Sequence, residues 1–335
     1  MFKLGAQKLR IGVVGFGKMG MLHAGIVNAL PEAQLVAVCE KNGLIRKFLG
    51  KILKDVSVVD DVKKLFCMDL DAVYVTTPIV SHFSVVRSLY ESEVSRNLFV
   101  EKTLASSFKQ AKELCKLARR FGGFNMVGYM RRFSVSFMKA KDLLDQGVIG
   151  EPISFKAYAY SSDFFGVKKN SKVYTPQVGV IRDLGCHALD LALWFFGDLK
   201  IEDAELECVV SDGSVDSAKF SAKAFNGVLG EFSVSRCVDG YRIPEVGFIV
   251  EGSKGSLCVN DDELTINLKN EVKRKWFRHD LGEHVGFWLG SPEYYREDKR
   301  FIEAVLRGET AEPCFESAAK VDRLIDKILA GAFVE

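Results

Sequence analysis

One short stretch of the sequence carries side chains that could move protons. Asp183 and His187 are four residues apart in a segment with helical spacing, so they would share one helix face, and Asp190 follows three residues later. A neutral imidazole can accept a proton from a hydroxyl group, and its ordinary pKa lies near neutral pH. The same spacing also occurs where an acid holds a histidine for packing alone. The stretch therefore predicts either a general acid/base pair or a structural ion pair.

Lys102 is a second candidate because it closely follows an apolar run, 97–100, that has the pattern of a buried strand. A lysine at the carboxyl end of a parallel strand can donate a hydrogen bond and positive charge to an oxygen that becomes an alkoxide or a carbonyl. The alternative is a solvated charge in a loop. For His82 two positions are equally compatible with the sequence, beside a ligand or on the surface of a helix. We expect His23 to pack or cap locally.

A glycine-rich motif near the start of the chain predicts a dinucleotide site. It lies between an apolar run, 9–14, and a predicted helix that ends near Leu30, and a second apolar run, 34–39, ends on Glu40. The glycines permit a tight turn, a close approach of the backbone to a pyrophosphate and close packing of the helix, whose first amides would face the phosphates. The motif comprises Gly15, Phe16, Gly17, Lys18, Met19 and Gly20.

Glu40 favours NAD over NADP. Its carboxylate would accept hydrogen bonds from the hydroxyls of the adenosine ribose, and its charge would repel a 2′-phosphate there. An NADP-preferring reductase is the alternative, because Lys41, Arg46 and Lys47 could engage a 2′-phosphate if Glu40 turned away. We expect further cofactor contacts at the strand ends, from Thr76, Thr77, Pro78, His82, Glu101 and Lys102.

The elements that must position these residues form two blocks. In the first block strand patterns alternate with helical patterns, which predicts an α/β domain with a doubly wound parallel sheet of the Rossmann type over 1–127. In the second block the apolar residues alternate with period two, which predicts an α+β domain with a mostly antiparallel sheet over 128–335. The last predicted helices, near 293–307 and 315–330, could also pack back on the first domain.

Two local features of the second block bear on the site. Asn226 and Gly227 separate two period-two runs, which is a strong signal for a two-residue hairpin. The stretch 161–181 is the longest irregular connection, and it leads directly into the segment that carries Asp183 and His187. Because a loop of this length inside a compact domain is usually functional, we expect it to line a substrate pocket.

Composition excludes several classes of partner. Of the 335 residues, 48% are hydrophobic and 27% are charged, which is typical of a globular protein, and the net charge is only +2. That balance gives no support to nucleic-acid or membrane binding, and no apolar run approaches the ~20 residues that span a bilayer. Residues 1–10 also lack the apolar core of a signal peptide, so we expect a cytoplasmic location. The eight cysteines show neither a paired motif nor metal-ligand spacing, so in that location we expect reduced thiols and no metal.

Taken together, these motifs resemble the glucose-fructose oxidoreductase, inositol dehydrogenase and MocA family. The resemblance follows the chain in order and spans nearly all of it, although no single motif is specific. It rests on the glycine-rich motif with His23, Thr77-Pro78 followed by His82, Glu101-Lys102, the segment 128–133, Asp183-x-Gly185-x-His187-x-x-Asp190, and the segment 301–305.

The resemblance implies an enzyme that oxidises or reduces a CH–OH or C=O carbon of a sugar, sugar derivative or polyol with a nicotinamide cofactor. The catalytic lysine of the family corresponds to Lys102, and its aspartate and histidine correspond to Asp183 and His187. By this resemblance His187 takes the hydroxyl proton, Lys102 orients the same oxygen, and Asp183 bonds to the substrate or steers His187. Arg131 is a further implied substrate contact. A homodimer or homotetramer through the outer face of an open sheet is also implied.

The chain departs from the family pattern at two places. The family usually has proline after the lysine, and Thr103 stands there, which removes a rigid restraint beside Lys102. The glycine-rich approach to Asp183 is reduced to 177–179, which suggests an unusual substrate loop. A protein that senses a dinucleotide or a sugar without turnover is the remaining alternative, but such a protein has no need of all three candidate catalytic residues.

Overall fold

The computed structural model describes residues 8–168, 179–210, 214–269, 273–282 and 292–331. These residues divide into two compact units, each with its own sheet. The first unit contains 8–130 and 292–319, and the second contains the other described residues. The first unit thus extends three residues beyond the predicted 127 and also includes a C-terminal segment.

The first unit contains a six-stranded parallel sheet of the Rossmann type, as the alternating pattern predicted. Its spatial order is β3-β2-β1-β4-β5-β6, and neighbouring strands pair in parallel. The inner strands are buried because they are apolar on both faces and helices flank them in the chain. The strands are β1 (Leu9–Val14), β2 (Ala33–Cys39), β3 (Ser57–Val59), β4 (Ala72–Val75), β5 (Leu98–Glu101) and β6 (Asn125–Gly128).

Four helices and a 3-10 turn, Val62–Met68, connect these strands. The side chains of Asn42 and Ser107 cap two of the helices by accepting hydrogen bonds from first-turn amides. The helix after Pro78 begins without such a cap, and the hydroxyl of Ser81 donates to the Pro78 carbonyl instead. The helices are α1 (Lys18–Ala29), α2 (Gly43–Ile52), α3 (Ile79–Glu91) and α4 (Phe108–Phe121).

The second unit contains an eight-stranded sheet that is mostly antiparallel, as predicted. Its order is β14-β13-β12-β11-β7-β10-β9-β8, and β7 with β10 forms a parallel pair. The predicted hairpin between β9 and β10 is confirmed, but its predicted two-residue loop is wrong. The N–H of Ala224 donates to the Val228 carbonyl at 2.8 Å, so 225–227 form a three-residue loop in which Gly227 has a φ of +95°. The strands are β7 (Pro152–Tyr160), β8 (Leu199–Glu207), β9 (Ser217–Ala224), β10 (Leu229–Ser235), β11 (Glu245–Gly252), β12 (Gly255–Asn260), β13 (Glu263–Leu268) and β14 (Arg274–Phe277).

The described residues of this unit include α5 (Val135–Asp145), α6 (Cys186–Phe196) and α7 (Arg278–Leu281), together with residues 320–330 of the last helix. α6 packs against the sheet through Phe196, whose ring stacks on Phe155 at 4.4 Å between centroids. The helix predicted around His187 is confirmed from Cys186 to Phe196, but the residues before it differ from the prediction, because Ile181–Gly185 forms a π-helical turn.

The C-terminal segment contains α8 (Pro292–Arg307) and α9 (Phe315–Ala330). Within the first unit this segment lies beside β6, where the N–H of Val127 donates to the Pro313 carbonyl at 2.8 Å. The N–H of Phe315 donates to the Asn125 side chain at 2.7 Å. Residues 292–319 of this segment belong to the first unit, and the rest of α9 belongs to the second. Across the described ranges, the helices are too short or too polar to cross a membrane.

Candidate functional site

A cleft of about 860 Å³ lies in the first unit, where β1, β2 and β4 end. Ligands of doubly wound sheets bind at this edge. Gly20, His82, Glu101 and Lys102 do not line it among the described residues, whereas the other predicted cofactor contacts do. The predicted residues that line it are Gly15, Phe16, Gly17, Lys18, Met19, Glu40, Thr76, Thr77 and Pro78.

The three glycines of the motif give the cleft its shape. Gly15 has a φ of +89°, and a Cβ on it would lie 2.7 Å from the side chain of Thr77. A Cβ on Gly20 would lie 2.1 Å from the Gly15 carbonyl oxygen, so only glycine lets α1 pack this closely. A Cβ on Gly17 would meet nothing within 4 Å, so this face of the turn is open. These residues fit a pyrophosphate at the start of α1.

Glu40 forms one end of the cleft. One carboxylate oxygen accepts the N–H of Phe16 at 2.7 Å and the other accepts the N–H of Asn42 at 2.7 Å. Asp60, which forms an ion pair with Lys64 at 2.6 Å, and Asp61 line the same cleft, so three carboxylates belong to its lining. This charge favours a ribose with free hydroxyls over a 2′-phosphate.

The basic residues of the NADP alternative are placed less favourably for a phosphate. Arg46 donates to the carbonyl oxygens of Glu40 and Lys41, at 2.9 and 2.6 Å. Its guanidinium therefore supports the turn after β2. Lys41 lines the cleft, and Lys47 does not among the described residues.

Glu101 and Lys102 follow one another at the end of β5. Glu101 is only 7% exposed, and its carboxylate accepts hydrogen bonds from His23 at 2.9 Å and from the backbone N–H of Lys102 at 3.0 Å. The Glu101 side chain thus faces the interior of the unit. The peptide bond from Lys102 to Thr103 is cis, and the Thr103 hydroxyl donates to the carbonyl of Ala105 at 3.0 Å.

His82 connects the Lys102 segment to the edge of the cleft. Its ring is wholly buried, with Nδ1 2.8 Å from the carbonyl oxygen of Thr103 and Nε2 2.7 Å from that of Thr77. Burial lowers the pKa of His82, and the two carbonyl contacts oppose that shift. His82 is therefore a buried residue that supports the backbone at Thr77 and Thr103.

Asp183 and His187 lie in the second unit, on the π-helical turn and on α6. The Asp183 carboxylate forms an ion pair with Arg236, whose guanidinium lies over the ring of Phe164 at 5.6 Å. His187 is 7% exposed. An ionised carboxylate and an imidazole on neighbouring turns are suited to binding a hydroxyl group and exchanging its proton.

The two arginines after β6 make internal bonds in the second unit. Arg132 donates to both carboxylate oxygens of Asp190, at 2.8 and 2.7 Å, so the two residues form an ion pair. Arg131, the implied substrate contact, donates to Asp261 and to the carbonyl of Pro244 at 3.0 Å each. These observed bonds of Arg131 are structural, and a contact of Arg131 with a substrate stays a prediction.

Sequence reasoning missed Asp298, which contacts His23 through both carboxylate oxygens. The two residues are 275 positions apart, so no local pattern joins them. It also missed Arg236 as the partner of Asp183. Part of the predicted substrate loop, 169–178, lies outside the described residues, and so do two of the three residues 177–179.

Comparison with known families and proteins agrees with this arrangement. Residues 9–129 match the model of the oxidoreductase family with an NAD-binding Rossmann fold, and residues 137–258 match that of the GFO/IDH/MocA C-terminal domain. The myo-inositol 2-dehydrogenase of Thermotoga maritima is 25% identical over 323 residues, which cover 90% of this chain and 89% of that protein. The inositol 2-dehydrogenase of Rhizobium meliloti is 25% identical over 316 residues, 91% of each chain.

Among solved structures, levoglucosan dehydrogenase in complex with NADH has a TM-score of 0.86 at 20% identity and covers 97% of both chains. This likeness concerns the fold. The two family models follow one another along the chain and together span most of it. The chain therefore belongs to the glucose-fructose oxidoreductase, inositol dehydrogenase and MocA family of NAD-binding oxidoreductases.

Proposed function

We propose that this oxidoreductase transfers a hydride between NAD and a CH–OH or C=O carbon of a cyclic polyol or sugar. The observation that carries the proposal is the cleft, which is lined by an open glycine turn and by three carboxylates, Glu40, Asp60 and Asp61. Relatives named inositol 2-dehydrogenases, which match nine-tenths of the chain, support a cyclic polyol as the substrate class.

The candidate catalytic residues divide the proton chemistry between them. His187 accepts the proton of the substrate hydroxyl during oxidation and returns it during reduction. Lys102 donates a hydrogen bond to the same oxygen and stabilises its negative charge. Asp183, held by Arg236, binds the substrate or orients His187. Bound NAD supplies the hydride acceptor.

The test compares Lys102→Ala and His187→Ala with the wild type, using myo-inositol and NAD. We expect kcat to fall by about 10²-fold or more in each variant, because a proton-transfer or charge-stabilising group is lost. Fluorescence titration with NADH should give each variant a dissociation constant within about twofold of the wild-type value.

Lys112→Ala and His279→Ala are matched controls, since both side chains are exposed, and they should keep wild-type turnover. Wild-type kcat in either catalytic variant would contradict the assignment. Cofactor binding without turnover of any polyol or sugar would favour the sensor, and tighter binding of NADPH would favour the NADP-preferring reductase.

We further propose a homodimer or homotetramer in the cytoplasm, formed through the outer face of the eight-stranded sheet. A groove of about 490 Å³ on this sheet is lined by Tyr158, Tyr160 and Ile249 together with charged side chains. An Ile249→Lys change would place an unpaired charge in the interface. Light scattering should give a dimer or tetramer for the wild type and a smaller species for the variant, whereas a monomeric wild type would contradict the proposal.

A further inference from the structure

A continuous chain of hydrogen bonds in the first unit ends on the backbone of Lys102. Asp298, on α8, lies 2.8 Å from Nδ1 of His23, and Nε2 of His23 lies 2.9 Å from Oε1 of Glu101. The other oxygen of Glu101, Oε2, accepts the N–H of Lys102 at 3.0 Å. His23 and Asp298 are wholly buried. Glu101 thus links the interior of the unit to the segment that carries the lysine.

The charges of this cluster follow from its geometry. A neutral imidazole has one donor and one acceptor, but both nitrogens of His23 face carboxylate oxygens, so a doubly protonated ring satisfies both contacts. Burial lowers the pKa of His23, but the charge and hydrogen bond of Asp298, with those of Glu101, raise it well above 6.5. Burial raises the pKa of Asp298, and the charge and hydrogen bond of His23 oppose that shift.

Neighbouring side chains restrict the cluster. The His23 ring lies against Tyr74, Phe99 and Tyr294, at 5.6, 5.0 and 6.1 Å between centroids. On β6, a Cβ added to Gly128 would lie 3.2 Å from Cζ of Phe99 and 3.3 Å from Cδ and from Oε1 of Glu101. The Glu101 carboxylate therefore occupies space that a larger residue at position 128 would need.

We propose that Glu101, His23 and Asp298 are positioning residues that fix the backbone of Lys102 for hydride transfer. The inference rests on the proposed function in one respect, the catalytic role of Lys102. The inference also gives Glu101 a role other than the predicted cofactor contact, because its carboxylate accepts a hydrogen bond from the Lys102 backbone. A cluster that merely joined α8 to α1 would stabilise the unit without affecting Lys102.

The test uses the full chain labelled with ¹⁵N-lysine and the nearly isosteric variant Asp298→Asn. The amide signal of Lys102 is assigned by its loss in Lys102→Arg. We expect the signal to move in Asp298→Asn, because the bonds of His23 and Glu101 readjust. With myo-inositol and NAD, kcat should fall about ten- to a hundredfold, while KM and the NADH dissociation constant stay within about twofold.

Two further variants make the result decisive. Glu316→Gln removes an exposed ion pair with Arg119 that also anchors the C-terminal segment, and it should change neither the Lys102 signal nor kcat. Gly128→Ala keeps every charge but crowds Glu101, so it should move the signal even if Asp298→Asn does not fold.

An unchanged Lys102 signal in folded Asp298→Asn, with only a lower melting temperature, would overturn the inference. An unchanged signal in folded Gly128→Ala would overturn it as well. A wild type without turnover would refute the proposed function, and the amide signal would still decide whether the cluster positions Lys102.

Discussion

At the scale of single residues, Glu40 combines two tasks in one carboxylate. It accepts the N–H groups of Phe16 and Asn42, which fixes the glycine turn against the end of β2. It also lines the cleft where an adenosine ribose would bind. Its removal should therefore affect both the turn and the choice of cofactor.

We expect Glu40→Ser to weaken NADH binding by about tenfold or more, because hydrogen bonds to a charged acceptor contribute roughly 1.5–3 kcal/mol. NADPH binding should weaken less, since the charge that repels its phosphate is gone. Fluorescence titration with the two nucleotides measures the change. Glu32→Ser, at an exposed position before β2, is the control. An unaltered ratio of the two affinities would argue against this role of Glu40.

At the scale of elements, the cleft depends on how closely α1 approaches β1. Gly20 and Gly50 are both helical glycines, but a Cβ on Gly20 would collide with a backbone oxygen at 2.1 Å, and one on Gly50 would meet nothing within 4 Å. Alanine substitutions at these two positions therefore distinguish the effect of α1 packing from the effect of the low helix propensity of glycine.

Gly20→Ala should lower the free energy of unfolding by about 1–3 kcal/mol and abolish NADH binding, because α1 must shift away from the turn. Gly50→Ala should raise the free energy of unfolding by roughly 0.5–1 kcal/mol, since alanine favours a helix. Urea unfolding and NADH titration check both. Equal effects of the two substitutions would show that helix propensity alone governs these positions.

The elements of the first unit were predictable because their signals are local. Apolar runs, glycines and strand ends lie within about 30 residues of one another between β1 and Glu40, so the sequence predicts both the sheet and the phosphate turn. The π-helical turn was not predictable. It accompanies the close packing of Gly185 on Val234 and the ion pair of Asp183 with Arg236, 53 residues away.

At the scale of the whole molecule, the first unit is built from two parts of the chain that are far apart in sequence, 8–130 and 292–319. Spacing rules could not reveal that His23, Glu101 and Asp298 meet, because they lie on α1, β5 and α8. The sequence therefore predicted His23 only as a locally packed residue. Its burial between two carboxylates depends on the return of the C-terminal segment.

This cluster makes the stability of the unit depend on pH. The pKa of His23 is raised above its unfolded value of about 6.5, so its contribution is complete below that pH and is lost as pH rises through the folded pKa. We expect the free energy of unfolding of the wild type to decline between about pH 6.5 and 8, and the decline to vanish in a His23→Gln, Asp298→Asn double variant.

Urea unfolding across this range measures the effect. Burial raises the pKa of the Cys39 and Cys115 thiols to about 11 and about 12, so these groups add a separate decline above about pH 8.5 that the double variant should retain. An equal slope below pH 8 in both proteins would contradict the assignment of the proton to His23.

The return of the C-terminal segment also sets an order of events during synthesis. His23 is translated 275 residues before Asp298, which at about 5–20 residues per second is a delay of roughly 14–55 s. Until α8 has been synthesised, His23 therefore has at most one of its two carboxylate partners. A chain that ends before α8 would contain the glycine motif but lack Asp298, so its charge cluster would be incomplete.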